Sequence, residues 1–185
     1  MESKTILFHS NEKEKCRAFI DGKIPLLLSG NSKDDKWLGT GMYFWDNEGN
    51  VNWWNRKQTK KHPLNQYSII RVNADTSHLL DLTDFDVYMK TKDIWTSFCK
   101  LIGEKTDVPL GNKLNTLFAS LTDWKETYTV IKVFGKYKET PRHGIFTFDY
   151  ESIEAEPTIA VKCIYNIKDE KCIMEKEFVK EENHE

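Results

Sequence analysis

The sequence lacks the closely spaced cysteine pairs that are typical of zinc knuckles and of redox motifs. Its four cysteines also have no histidine at the spacing of zinc ligands. They are Cys16, Cys99, Cys163 and Cys172. This pattern predicts no metal site and no disulfide scaffold, and it favours reduced, buried thiols in a cytoplasmic protein.

Long apolar runs and a strong excess of one charge are also missing. No segment is apolar over the length that a bilayer requires, and the N-terminal MESKTILFHS lacks the charged and then apolar pattern of an export signal. We therefore expect no membrane contact. The 27 basic and 29 acidic residues give a formal net charge of −2, so no overall field attracts the protein to nucleic acid.

Aromatic residues, by contrast, are abundant. They make up 12% of the 185 residues and include six Trp and seven Tyr. A plain core of this size needs fewer large rings, and flat rings are what a stacked ligand requires. The length and the hydrophobic content of 39% predict one globular domain over residues 1–180, with residues 181–185 as a frayed polar tail.

The hydrophobic pattern mixes helices with strands in the first half of the chain and is rich in strands in the second half. Strands are predicted over residues 5–8, 42–45, 67–74, 127–135, 144–150, 158–166 and 171–179, and helices over 11–22, 47–61, 83–103 and 113–121. Ser10, Asp46 or Asn47, and Thr83 are the predicted caps of the first three helices. The order of the elements predicts an α+β fold.

The segment GTGMYFWDNEGNVNWW (residues 39–54) is the most informative one. Gly39 and Gly41 allow a sharp turn or the close approach of a ligand to the backbone, and four large residues and a capped helix follow at once. The segment also has an ordinary interpretation, as a turn, a buried strand and an amphipathic helix.

Residues 39–46, GTGMYFWD, resemble the pattern G-x-G-[IL]-Y-F-x-[DE] of ADP-ribosyltransferases of the diphtheria-toxin and poly(ADP-ribose) polymerase type. The resemblance implies that Tyr43 stacks on the nicotinamide of NAD⁺ and that Gly41 lies at the cofactor. In the polymerases a second aromatic residue, eleven positions further on, covers the other face of the ring. Trp54 stands at that distance from Tyr43.

His9 and Ser10, at the end of the first predicted strand, resemble the first motif of the same family. The resemblance implies that His9 hydrogen-bonds a ribose hydroxyl and that the Ser10 backbone grips the nicotinamide amide. The separation of 34 residues between His9 and Tyr43 is close to that of the family. The positions that differ from the family pattern include Ser10, which replaces a commoner glycine, and Val51, which replaces a serine that contacts the amide in the polymerases.

The third motif of the family is a carboxylate at the start of a late strand, which supports the transition state as nicotinamide leaves. The resemblance assigns the role of this carboxylate to Glu156 and makes His9 and Tyr43 the other two catalytic residues. Glu154 is then the neighbour that contacts the acceptor. An acidic surface turn explains these two residues equally well. The late strand can instead be aligned with the family on its Lys162-Cys163 portion. The position of the catalytic carboxylate then falls on Val161, and the enzyme is impaired.

The resemblance implies an ADP-ribosyltransferase-like fold, with two packed, mostly antiparallel sheets around an NAD cleft and flanking helices. It also implies a mono-ADP-ribosyltransferase that takes NAD⁺ as substrate. The branch that it resembles consists of small bacterial or phage proteins. Such a protein would act as a toxin or in phage-host conflict and would have a cognate inhibitor protein. The alternatives are an inactive module that binds NAD⁺, ADP-ribose or a partner protein, and an NAD glycohydrolase. The matching stretches cover about a third of the chain.

The acceptor of the ADP-ribose is left open between protein, nucleic acid and water. A basic cluster near Trp53 could contact a nucleic acid, although a solvated helix end explains the same residues. The cluster consists of Lys57, Lys60, Lys61 and His62. Arg142 and His143 could contact the phosphates of NAD⁺ or could belong to a surface turn.

Overall fold

The computed structural model of the chain describes residues 3–29, 37–136 and 161–179. Its strands are β1 (Lys4–Glu12), β2 (Met42–Trp45), β3 (Tyr67–Asp75), β4 (Leu79–Asp81), β5 (Val130–Lys136), β6 (Val161–Ile167) and β7 (Ile173–Phe178). Its helices are α1 (Lys13–Ile20), α2 (Glu48–Lys61), α3 (Phe85–Ile102), α4 (Leu110–Ser120) and α5 (Thr122–Thr127). The predicted α+β class is confirmed.

These strands form one seven-stranded sheet in the order β4-β5-β6-β2-β1-β3-β7. Neighbouring strands are antiparallel, except for the parallel pair β4 and β5. Among the described residues, β1 and β2 are joined only where Phe8 pairs with Trp45, whereas β1 pairs with β3 along its whole length. The expectation of two packed sheets is therefore corrected, because the hydrogen bonding continues through this joint and makes one sheet of two parts.

Alternation along β2 directs its side chains to two different cores. Met42 and Phe44 are fully buried in a core between one face of the sheet and α1. Tyr43 packs against a second core, which α3, α4 and α5 complete with residues such as Leu117 and Trp124. The short strand therefore anchors the middle of the sheet on both faces.

Two predicted helix ends are confirmed, at Asn47 and Gly103, and the predicted cap at Thr83 is wrong. Asn47 caps α2, since its side chain accepts a hydrogen bond of 2.9 Å from the backbone N–H of Asn50. Gly103 ends α3 in the left-handed conformation. Asp84 rather than Thr83 caps α3, because its side chain accepts from the Val87 N–H.

The predicted cap at Ser10 is wrong. Strand β1 continues through this residue to Glu12, and the Ser10 hydroxyl donates a hydrogen bond of 2.8 Å to Oδ1 of Asn55 in α2. Ser10 therefore ties the end of β1 to the neighbouring helix. The short helix α5, in which Trp124 is buried, is absent from the sequence prediction.

Several predictions fall outside the described residues. They concern Glu154, Glu156, Arg142, His143, the strand over 144–150 and the tail 181–185. None of the helices in the described ranges combines the length and the apolar character that a bilayer crossing requires. The prediction of one domain over residues 1–180 stays a prediction.

Candidate functional site

A cleft of about 1100 Å³ lies where β1 and β2 part. Its walls come from the end of β1, from α2, from residues 27–29 and from strands β5 and β6. Seven aromatic residues and three lysines are among the lining residues: Trp37, Tyr43, Trp45, Trp53, Trp54, Tyr67 and Phe134, together with Lys57, Lys61 and Lys136. The predicted site residues His9, Ser10, Tyr43 and Trp54 all line this cleft.

His9 is buried at the joint between the two parts of the sheet. Its Nδ1 lies 2.6 Å from the carbonyl oxygen of Tyr43. A carbonyl can only accept, so Nδ1 carries the proton and Nε2 is left with a lone pair. The amide group of Asn11 donates a long hydrogen bond, of 3.4 Å, to that lone pair.

Burial lowers the pKa of His9 to about 4, against the opposing effect of the hydrogen bond to the Tyr43 carbonyl. The imidazole is therefore neutral at neutral pH. Its side chain is only 7% exposed, so the ring is held in place by its surroundings. Nε2 of His9 is thus a fixed hydrogen-bond acceptor, which the Asn11 amide occupies in the structure and which a ligand hydroxyl, but not a carbonyl, could take over.

The hydroxyl of Tyr43 fixes the loop that precedes β2. It donates a hydrogen bond of 2.6 Å to the carbonyl oxygen of Gly39 and accepts one of 3.1 Å from the N–H of Leu38. Lys168 supports the same loop by donating to the carbonyl oxygens of Leu38 and Thr40. Burial lowers the pKa of Lys168 to about 8. The ring of Tyr43 is therefore held at its hydroxyl end while it lines the cleft.

The backbone conformation and the local packing explain why glycine stands at positions 39 and 41 of this loop. Gly39 has a φ of +72°, a conformation that side-chain-bearing residues rarely adopt. A Cβ on Gly41 would lie 2.2 Å from Oδ1 of Asn166, which is fully buried. Gly41 is not among the described residues that line the cleft, and its predicted contact with a cofactor stays a prediction.

Asn166 is an unusual feature beside this loop. It pairs with Tyr43 across β2 and β6, and its side chain is fully buried. Within the described part of the chain, neither its Oδ1 nor its Nδ2 has a hydrogen-bond partner. A buried amide without partners costs free energy, so packing alone does not explain this residue.

Trp54 is half-buried and packs at the base of the cleft. Its ring centroid lies 5.7 Å from that of Trp45, and both rings belong to a small cluster with Phe8 and Val51. Val51 is fully buried, so its apolar side chain fills this cluster. Trp54 is therefore neither enclosed in the interior nor detached from the fold.

Sequence reasoning missed Lys162, which is only 7% exposed. Its Nζ donates a hydrogen bond of 3.0 Å to Oδ1 of Asn50 and lies 4.9 Å from the ring centroid of Trp53. Nζ of Lys57 lies 5.2 Å from the same centroid. Burial lowers the pKa of Lys162. The sequence did contain one signal for a buried lysine. Lys162 alternates with Ile164 and Asn166 along β6, on a face of the strand where an apolar residue is expected.

The third motif of the sequence analysis stays a prediction. Glu154 and Glu156 lie outside the described residues. Val161 begins β6, pairs with Lys136 and is 40% exposed. As the neighbour of Lys162 in a strand, it points to the opposite face of the sheet.

The described residues also bear on metal and thiol chemistry. In the described ranges, no group of three or more His, Cys, Asp or Glu side chains is placed to hold a metal ion. All four cysteines lie in those ranges and are free thiols. Burial raises the pKa of Cys16 and of Cys163 to about 11, so both thiols are protonated and weakly nucleophilic at neutral pH.

No protein-family model, curated protein or solved structure gives a significant match to this chain. A functional hypothesis therefore depends on the cleft itself. Its residues place a neutral imidazole acceptor beside aromatic rings and cationic side chains. Chemically, this set suits a ligand with a flat ring, sugar hydroxyls and negatively charged groups.

Proposed function

We propose that this chain is a mono-ADP-ribosyltransferase that binds NAD⁺ in the cleft at the β1–β2 joint. The observation that carries the proposal is the 2.6 Å hydrogen bond between His9 and the carbonyl oxygen of Tyr43. It brings together two motifs that stand 34 residues apart in the sequence, in a cleft that Trp54 also lines.

In this proposal the nicotinamide ring lies between the rings of Tyr43 and Trp54. The pyridinium of NAD⁺ is cationic, and aromatic faces attract a cation through the ring quadrupole. A ribose hydroxyl takes the place of the Asn11 amide as the donor to the lone pair on Nε2 of His9. The side-chain hydroxyl of Ser10 donates to Asn55, so the backbone of Ser10 is the part that would contact the amide.

The transfer breaks the bond between the nicotinamide nitrogen and the ribose anomeric carbon. The bonding electrons leave with nicotinamide, which becomes neutral, and the ribose carbon takes on cationic character. A lone pair of the acceptor then forms the new bond to this carbon, and the proton of the acceptor passes to a base. With a pKa of about 4, His9 is a weak base, so this step calls for a separate carboxylate, which we assign to Glu156.

The second candidate is a silent module that binds NAD⁺ or ADP-ribose and leaves it intact. The position of Val161 favours it, because an apolar residue begins β6 at the place where one alignment of the late strand puts the catalytic carboxylate. The two candidates share the binding residues and differ in the chemistry that follows.

Isotopically labelled NAD⁺ tests the proposal directly. We expect the protein to release nicotinamide and to transfer label to a component of a cell lysate. His9→Ala should lower the rate roughly 10- to 100-fold, since it removes one hydrogen bond to the ligand and the support of the cleft. His78→Ala is the matched control, because His78 also bonds a backbone carbonyl, that of Thr127 at 2.9 Å, but lies outside the lining of the cleft.

Calorimetry with NAD⁺ separates the candidates. Binding without turnover supports the silent module, and turnover without label on a macromolecule indicates hydrolysis to free ADP-ribose. The absence of any binding rejects both candidates. Glu156→Gln should abolish turnover while NAD⁺ still binds, with Glu154→Gln as the neighbouring control.

A further inference from the structure

The charge of the cleft differs from that of the whole chain. The chain has a formal net charge of −2, yet the described lining contains Lys57, Lys61 and Lys136 and a single carboxylate, that of Glu12. A favourable position near the C-terminus of α2 accounts for Lys61. It does not account for Lys136, which reaches the cleft from β5. Two elements therefore place cations around one space.

Two lysine ammonium groups lie close to the ring of Trp53. The ammonium groups of Lys57 and Lys162 lie 5.2 and 4.9 Å from the centroid of its ring. The ring of Trp53 therefore has one cation contact from α2 and one from β6. Both ammonium groups would attract a phosphate that lies beside Trp53.

The lining of the cleft also includes rings beyond the two assigned to nicotinamide. Tyr67 and Phe134 line it in addition to Trp53, and Phe134 is 58% exposed. A large exposed ring at the edge of a cationic cleft offers a face on which a base can stack. A cleft of about 1100 Å³ also exceeds the roughly 300–1,000 Å³ of a typical small-molecule pocket.

We propose that the part of the cleft formed by Trp53, Lys57, Lys61, Tyr67, Phe134 and Lys136 binds single-stranded nucleic acid, and that this strand is the acceptor of the ADP-ribose. The inference rests on the proposed function and names its acceptor class. Phosphates contact the lysines, and bases stack on the exposed ring of Phe134 and on the half-buried rings of Trp53 and Tyr67. Aromatic rings interleaved with lysines favour a nucleic acid over an acidic peptide, which would use the cations alone.

In the transfer to the strand, a nucleotide group replaces nicotinamide on the ribose. A lone pair on a nucleotide nitrogen or oxygen forms the new bond to the ribose anomeric carbon. Nicotinamide leaves as a neutral molecule with the electrons of the broken bond. The proton of the nucleotide group passes to a base or to water, and no oxidant or reductant takes part.

Strand binding is measured without NAD⁺, by fluorescence anisotropy of short single-stranded DNA and RNA of mixed sequence with the full-length chain. Lys57→Ala/Lys61→Ala should weaken binding and lower the slope of log K against log salt by about 1.4, or about 0.7 for each phosphate contact. Trp53→Ala should weaken binding roughly 5- to 100-fold at all salt concentrations. Lys92→Ala/Lys100→Ala is the matched control, since it removes the same charge from exposed positions of α3.

Several outcomes would overturn the inference. They are no binding of either oligonucleotide, an equal loss in the α3 control, and equally tight binding of a polyglutamate peptide. If Lys57→Ala/Lys61→Ala weakens NAD⁺ binding but not strand binding, the lysines serve the dinucleotide and the inference is wrong.

Labelled NAD⁺ then separates this inference from the proposed function. Label on the oligonucleotide supports both. Nicotinamide release with label on lysate protein and none on the oligonucleotide rejects the acceptor and retains the transferase. Strand binding by a chain that does not bind NAD⁺ rejects the transferase and, with it, the acceptor role.

Discussion

Two regions beside the central strand β2 are built differently, the core that α3, α4 and α5 complete and the region formed by α2 and the end of β1. On the side of α3, α4 and α5, Leu114, Leu117 and Trp124 form an apolar core. On the side of α2 and the end of β1, three polar side chains are buried, those of His9, Ser10 and Lys162. Each of the three has a hydrogen-bond partner, respectively the Tyr43 carbonyl, Asn55 and Asn50.

Apolar burial is enough to hold a sheet against helices, and the α3–α5 side shows it. Burying an imidazole and an ammonium group costs free energy that a hydrophobic residue would not cost. The α2 side therefore has features that folding alone does not require. This contrast supports a ligand site on the α2 side and a structural role for the other side.

Leu117→Ala on the apolar side should give the largest effect on stability. Leu117 is fully buried, so its truncation leaves a cavity and should lower the free energy of unfolding by about 2–5 kcal/mol. Urea unfolding measures the loss. The fraction that stays folded should bind NAD⁺ as tightly as the wild type, and a loss of affinity in that fraction would undermine the division of roles.

The pH dependence of stability should report the buried imidazole on the α2 side. The pKa of His9 is about 4 in the folded protein, below the ordinary 6.5, so the unfolded chain takes up this proton first as the pH falls. The stability is complete above pH 6.5 and is lost as the pH falls from 6.5 to 4, by roughly 3 kcal/mol in total.

Urea unfolding of the wild type and of His9→Gln between pH 4 and pH 8 checks this dependence. Gln has no proton to exchange in this range, so the difference between the two proteins isolates His9 from the carboxylates that also titrate in acid. Parallel curves for the two proteins would show that His9 is not buried as a neutral ring.

Trp54→Ala should affect binding more than stability. Loss of one stacking ring should weaken NAD⁺ binding by about 1–3 kcal/mol. Because Trp54 is only half-buried, its truncation should cost less stability than that of Leu117. Calorimetry measures the affinity, and Trp54→Phe, which keeps an aromatic face, should retain most of it. Unchanged affinity in Trp54→Ala would remove Trp54 from the site.

The fold could be predicted where the signals were local. The compact run MYFW gave β2 with the bounds that the structure shows, and Asn47 was among the predicted caps of α2. The end of β1 was not predictable in this way. Its extension past Ser10 depends on pairing with β3 and on the bond to Asn55, and both contacts join segments far apart in the sequence.

The site shows the same limit. His9, Tyr43 and Trp54 were proposed from sequence motifs, and all three line one cleft. Lys162 was missed because its position depends on the pairing of β2 with β6, which brings it beside α2 across more than a hundred residues. A lysine in an otherwise apolar strand carries no signal for the ring that it will contact.

Tyr43→Phe should change stability and NAD⁺ affinity least among these variants. It separates the role of the Tyr43 hydroxyl from that of the ring. The substitution removes the hydroxyl that donates to the Gly39 carbonyl and accepts from the Leu38 N–H, so stability should fall by about 1 kcal/mol. The ring stays, and the affinity for NAD⁺ should change by no more than about threefold if only the aromatic face contacts nicotinamide. Tyr88→Phe is the control, since Tyr88 is 52% exposed on α3. If Tyr43→Phe weakens binding as much as Trp54→Ala, the hydroxyl or the loop that it holds is part of the ligand site, and the contrast between a structural hydroxyl and a binding ring fails.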